Sequence, residues 1–344
     1  MEDEDKMEFR TIKELCDLVV DCPHSTPAWT EQGKIVIRNN NIKNGKIDLS
    51  SPSFTDDEHF TQRTKRAIPK AGDIVITREA PMGEVGMIPE KVECCLGQRM
   101  VLLRVNNQLC DNYYLLYSLQ SSIVQQQISW SMGTGTTVSN LRIPHLEQIR
   151  VPYVPLDKQR QISSVLCAIE EKIDNNSKVN DNLQQQAAAL FSSLYNRSNT
   201  EVRYTDLIQI LGGGTPKTGE TAYWNGNIAF FTPKDVGTPY TFITEKTITE
   251  EGLSHCNSRL YPVNTVFVTA RGTVGKVGLS GVPMAMNQSC YALVGRETHQ
   301  LLVYFYTLKV VDRLKHKASG AVFDAITTRD FESEQIMKLS DDDG

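Results

Sequence analysis

Thr77-Arg78-Glu79-Ala80-Pro81-Met82-Gly83-Glu84-Val85-Gly86 returns as Thr269-Ala270-Arg271-Gly272-Thr273-Val274-Gly275-Lys276-Val277-Gly278, at an offset of 192 residues. Two further pairs keep the same order. Ile37-Arg38-Asn39-Asn40-Asn41-Ile42 corresponds to Phe231-Thr232-Pro233-Lys234-Asp235-Val236 at an offset of 194, and Gly97-Gln98 to Asn287-Gln288 at 190. Each match is short, but common order at nearly constant offset is the mark of an internal duplication. The chain therefore carries two copies of one domain, which fits 344 residues better than a single core does.

Within each copy, β-branched runs read as strands: Asp73 to Thr77 and Met100 to Val105 in the first, Thr265 to Thr269 in the second. Each copy then turns helical, over Asp111 to Trp130 and over Gln300 to Lys317. Between the copies runs the clearest periodicity in the chain. Ile162, Leu166, Ile169, Ile173, Asn176, Asn180, Leu183, Ala187, Leu190 and Leu194 alternate spacings of four and three, a heptad seam. Pro155 and Asp157 open it, and a helix from 157 to 196 would be about 60 Å long. Such a rod cannot be buried in one domain of this size, so its apolar stripe calls for a partner helix. Asn176 and Asn180 in mid-seam would fix register. The plainer alternative is an amphipathic helix with a solvated middle. The expected architecture is α+β: residues 1–154 as the first domain, 155–198 as the spacer helix and 199–344 as the second domain.

Composition narrows the function classes. A 40% apolar fraction with 22% charged residues is ordinary for a globular chain, there is no run of 18 apolar residues, and the acidic N-terminus is unlike a signal peptide. A cytoplasmic protein with no membrane partner is expected. Eight cysteines spread over the chain without a C-x-x-C pair point to free thiols rather than to zinc or a disulfide framework. Cys94 and Cys95 should face opposite ways if their segment is a strand. The net charge of −5 is concentrated at the ends: the first eight residues carry −4 and Asp341 to Asp343 a further −3, leaving a body of +2. That balance is compatible with nucleic acid.

Signatures of catalysis are missing. Gly214 to Thr221 resembles a phosphate loop but has Glu220 where Lys is required. Gly212-Gly213-Gly214 lacks the spacing of a dinucleotide site, and His24, His59, His145, His255, His299 and His316 form no metal pair. No metal, cofactor or catalytic residue is expected. What the copies do offer is amide-rich and basic loops at matching places. Asn and Gln can bond adenine edges, Arg and Lys guanine edges, and glycine admits close backbone approach. The DNA-binding candidates are Arg38, Asn39, Asn41, Arg78, Gln98, Arg99, Thr134 and Thr136 in the first copy. In the second they are Lys217, Trp224, Lys234, Arg271, Thr273, Lys276, Asn287 and Gln288. The competing reading is that these amides and glycines only close hairpins.

Two diverged domains, each with a T-[AR]-x-x-x-x-G-x-[VI]-G turn and an [NG]-Q step, and the Pro155-Leu156-Asp157-Lys158-Gln159-Arg160-Gln161-Ile162 entry into a long helix, resemble the specificity subunit of type I restriction-modification systems. The resemblance covers nearly the whole chain. It implies that the copies are target recognition domains, that each reads one half of a bipartite DNA target, and that the subunit recruits methyltransferase and restriction subunits without being an enzyme itself. A spacer of about 60 Å would hold the half-site centres roughly one duplex turn and at most about 18 base pairs apart. In that family a second spacer follows the second domain. Aligning Leu141 with Ile326 puts its start at about 341, where this sequence ends in Asp341-Asp342-Asp343-Gly344. The free seam of the first spacer is then expected to find another helix, the simplest being the same segment of a second copy, antiparallel, as a homodimer. An alternative of another class is a coiled-coil adaptor whose repeated domains bind protein.

Overall fold

The computed structural model describes residues 7–130, 140–237, 239–317 and 325–339; Thr134 and Thr136 lie outside them. It divides into two compact units, Met1–Ser177 and Lys178–Gly344, and the division falls inside one continuous helix, Leu156–Arg197.

In the first unit the strand Glu8–Thr11 pairs antiparallel with Arg150–Tyr153. Thr11 then caps the short helix Ile12–Leu15 through a reciprocal bond with Glu14, which turns Ile12 and Leu15 into the core. The main sheet is antiparallel, in the order Cys16–Asp21, Met100–Val105, Ile74–Thr77, Val85–Met87. Its middle strands are apolar at almost every position because both faces are covered. Ile74, Ile76, Val101 and Leu103 pack on the helical side with Leu115, Leu119, Val124 and Ile128. Val75, Met100 and Leu102 face the other way, onto a small sheet of Ser53–Thr55, Lys34–Ile37 and Cys94–Leu96. There Cys94 joins Ile37 and Val75 while Cys95 joins Val36 and Phe60, so the adjacent thiols do take opposite faces.

The second unit repeats this plan. Its main sheet runs Ile208–Gly212, Cys290–Gly295, Val266–Thr269, Val277–Ser280, Tyr240–Thr241, and its small sheet Lys246–Ile248, Trp224–Phe231, Met284–Met286. The duplication extends to register. Ile37 pairs with Leu96 in one parallel ladder and Phe231 with Met286 in the other, the offsets of 194 and 190 read from sequence. Thr77 pairs with Met100, and Thr269 with Cys290.

The helices that cover the sheets differ. Gln300–Lys317 is one helix, but Asp111 to Trp130 is two, Asn112–Gln120 and Ser122–Trp130. Ser121 breaks the run in extended backbone: its hydroxyl bonds Ser118 O, and its own carbonyl accepts from Gln125 N to start the second helix. A serine that can bond its neighbours' backbone competes with helix continuation, which a periodicity of apolar residues does not register.

The connector helix is rooted at both ends by residues off the heptad seam. Gln159, fully buried, accepts from Asp111 N and donates to Leu109 O and Val154 O, while Ser163 donates to the Asp111 carboxylate. In the second unit Phe191 packs edge-on against Tyr306 at 5.1 Å and stacks with Phe305 at 5.4 Å. Of the seam, Leu166 and Leu194 are half-buried, and Leu194 packs on the second core. Ile162, Ile169, Ile173, Leu183 and Leu190 are all 41–62% exposed, and Asn176 and Asn180 are exposed between them.

Candidate nucleic-acid interface

Three loops of the first unit meet at the ends of the strands just described. The segment Asn39–Asn41 follows the strand Lys34–Ile37, the turn after Thr77 follows the main sheet, and Gly97 to Arg99 follows Cys94–Leu96. Backbone bonds tie them: Gly97 N to Ile37 O, and Arg78 N to Arg99 O. Asn39 Nδ2 donates to Glu79 O at 2.6 Å, and Glu79 in turn pairs with Arg99 at 3.1 Å. Between the loops lies a cleft of about 480 Å³ that Arg38, Asn39, Gln98 and Arg99 line together. Four of the sequence candidates, taken from positions 60 residues apart, thus share one site. Trp29, which the sequence reading passed over, lines it as well, half exposed, with the Arg38 guanidinium 5.1 Å from its ring centre. Gln98 is partly committed, donating to His24 O and Thr26 Oγ1.

Two first-copy candidates lie beneath this surface. Arg78 is buried, and its guanidinium bonds the Asp21 carboxylate at 2.8 and 2.9 Å, Leu141 O at 2.9 Å and Asn140 Oδ1 at 3.1 Å. Ladder register makes Asp21 the equivalent of Gly212, and Arg78 aligns with Ala270, so the second copy replaces both charged partners by small residues. A pair that is lost together supports its loop; Arg78 orders the site from below, with most of its five N–H donors already committed to the protein. Asn41 is also buried, accepting from Arg38 N and donating to Asp48 O. Its counterpart Asp235 makes the same bond to Thr232 N, so both cap a turn.

The matching loops of the second unit carry a different surface. Thr269 to Lys276 forms the turn, with Arg271, Thr273 and Lys276 exposed, and Thr273 Oγ1 reaches Pro233 O at 3.5 Å. Lys234 is exposed and pairs loosely with Glu245 at 3.6 Å. Gln288 is exposed and accepts from Thr215 Oγ1, whereas Asn287 spends its carbonyl on Ser289 N. Lys217 is exposed, but Trp224 is half-buried: its indole N–H donates to Lys217 O at 3.1 Å and its ring meets Phe230 edge-on. The neighbouring glycines are there for packing. A Cβ on Gly213 would sit 2.2 Å from Asn287 O, and one on Gly214 2.6 Å from Asn257 N.

Elsewhere the chemistry is quiet. Burial pushes the thiols of Cys94, Cys110 and Cys290 up to about 12 and that of Cys95 to about 11, the reverse of an activated nucleophile. Among the described residues no group of three or more His, Cys, Asp or Glu could hold a metal, and no helix is long and apolar enough to cross a membrane.

Two duplicated domains that present polar and basic loops from paired sheets, with a long helix between them, define a recognition protein. The family model described as type I restriction modification DNA specificity domain matches residues 4–185 and again 196–338, and the chain belongs to that family. It is 23% identical over 353 residues to the type I restriction enzyme MjaX specificity subunit of Methanocaldococcus jannaschii, covering 94% of this chain and 82% of that one. It is 31% identical over 124 residues to the MjaIX specificity subunit of the same organism, covering 34% of this chain and 29% of the relative. Among solved structures, the type I restriction-modification S subunit from M. genitalium matches with a TM-score of 0.61 at 15% identity, over 98% of this chain and 87% of that one, a likeness of fold.

Proposed function

We propose that the chain is the DNA-recognition subunit of a type I restriction-modification complex, non-catalytic itself, each unit reading one half of a bipartite duplex target in the cytoplasm. The observation that carries this reading is the site of the first unit, where Arg38, Asn39, Gln98 and Arg99 converge on one cleft. Guanidinium and amide groups on a rigid sheet edge suit base edges in the major groove. In the second unit, Lys217, Lys234, Arg271, Thr273, Lys276 and Gln288 are the corresponding proposed contacts. Lys276, a point charge, suits phosphate, and Gln288 a base edge. Methyltransferase and restriction subunits are the proposed protein partners. A mobility shift with random-sequence duplex, with and without the cognate methyltransferase subunit, tests the reading against that of a protein-binding adaptor: sequence-selective retention supports it, and protein capture without DNA retention sinks it.

The exposed seam of the connector helix supports a helical partner, because soluble proteins rarely leave so long an apolar stripe uncovered. We assign it to the same stripe of a second copy, packed antiparallel so that Asn176 and Asn180 lie near the two-fold axis. Light scattering tests this: a clean monomer at tens of micromolar overturns the homodimer in favour of a helix from another subunit.

A further inference from the structure

The two units do not carry the same reading chemistry, and the difference falls at two aligned positions. Where the first has Arg38 the second has Thr232, and where the first has Arg99 the second has Ser289, by the registers of Ile37 with Leu96, Phe231 with Met286, Met100 with Thr77 and Cys290 with Thr269. Two backbone bonds between the loops recur in both copies: Gly97 N to Ile37 O matches Asn287 N to Phe231 O, and Arg78 N to Arg99 O matches Ala270 N to Ser289 O. The side chains are exchanged, and Arg99 alone of the second pair has left-handed backbone, at φ +66°.

In the first unit both guanidiniums face the cleft and each is held on one side. Arg38 lies over the Trp29 ring at 5.1 Å with a terminal nitrogen 3.4 Å from Ser53 Oγ, and Arg99 pairs with Glu79 at 3.1 Å while its side chain stays 55% exposed. A planar fork of donors fixed from behind keeps the rest of its five N–H groups for a ligand. The base edge that presents two acceptors side by side to such a fork is guanine, through O6 and N7.

We propose that the first-unit cleft is a guanine reader in which Arg38 and Arg99 supply the donors and Trp29 is the positioning platform for Arg38. The half-site of the first unit therefore contains a guanine read through N7, and the second unit, with Thr232 and Ser289, reads its half-site without this device. The inference rests on the DNA-recognition reading above.

The test starts from the unaltered chain with its methyltransferase subunit, selected on a random duplex library, followed by replacing each selected guanine in turn by 7-deazaguanine. In one half-site, loss of N7 at a guanine should weaken binding about tenfold, the discrimination expected of one bidentate contact. Arg38→Ala and Trp29→Ala should abolish that sensitivity, Trp29→Phe should keep most of it, and the other half-site should be unaffected by all three. Tolerance of 7-deazaguanine at every position by the unaltered chain overturns the proposal without need of any variant. So does an Arg38→Ala that weakens all sequences evenly, since that is a phosphate contact. Failure of the unaltered complex to enrich any sequence overturns the recognition reading itself and this inference with it.

Discussion

Thr77 and Thr269 hold equivalent turns with the same four hydrogen bonds. Each donates its N–H to the residue seven positions on, Glu84 or Lys276, and accepts from Gly83 or Gly275 at its carbonyl. Each hydroxyl donates to the carbonyl four positions on, Pro81 or Thr273, and accepts from the N–H of Glu84 or Lys276 at 3.0 Å. The turn that marks the duplication in sequence is thus locked by the residue that begins it.

Both threonines are fully buried, so replacing either by Val leaves a carbonyl and an N–H without their partner. Thr77→Val and Thr269→Val should each cost about 1–3 kcal/mol in denaturant unfolding, by similar amounts and additively. A negligible loss in both would mean that the glycines, not the hydroxyls, hold the turn.

Arg78 and Asp21 form a mostly buried ion pair that the second unit does without. Arg78→Ala should destabilise by about 2–3 kcal/mol because it leaves the carboxylate with the exposed His24 ring, 2.9 Å away, as its partner, and Asp21→Gly in the same chain should restore part of that loss. Residual DNA preference of the double variant should match the unaltered chain. A changed base preference at one position would instead make Arg78 a reader.

Phe191→Ala should cost about 3–5 kcal/mol by opening a cavity among Phe305 and Tyr306, whereas Leu183→Asp, on an exposed face, should change unfolding of the monomer, measured at high dilution, by less than about 0.5 kcal/mol. If the seam joins two copies, that same Leu183→Asp should dissociate the dimer. Equal stability losses in the two variants would contradict the division between anchoring and seam faces.

Folded-state burial raises the thiol pKa of Cys16, Cys94, Cys110 and Cys290 from about 9 to about 12. The sign follows: the stability these neutral thiols contribute is fully present below pH about 9 and is lost as pH rises toward 12, since only the unfolded chain ionises readily there. Melting temperature should be insensitive to these groups between pH 6 and 8 and fall above 9. Native-state alkylation at pH 8 should label Cys256 and Cys167, which are partly exposed, well before Cys94.

The duplication was legible because it is written in short local turns, and the heptad because it is written in periodic apolar residues. Tertiary commitments left no such trace. Arg78 reads as an exposed basic loop residue until Asp21, 57 residues earlier, is beside it, and Asn41 as a reader until Asp235 reveals a shared capping role. Trp29 lies in an irregular segment with no counterpart motif, and its value appears only with Arg38 over its ring. Phe191 sits one position past a seam residue, yet it is the one the core takes.

On the proposed function, each unit reads its own half of one target. Exchanging residues 1–154 for those of another specificity subunit and sequencing the host's methylated bases tests it most directly. A bipartite methylated motif in which one half changes and the other is kept is the predicted result; a single contiguous motif, or an exchange that alters both halves, would contradict it.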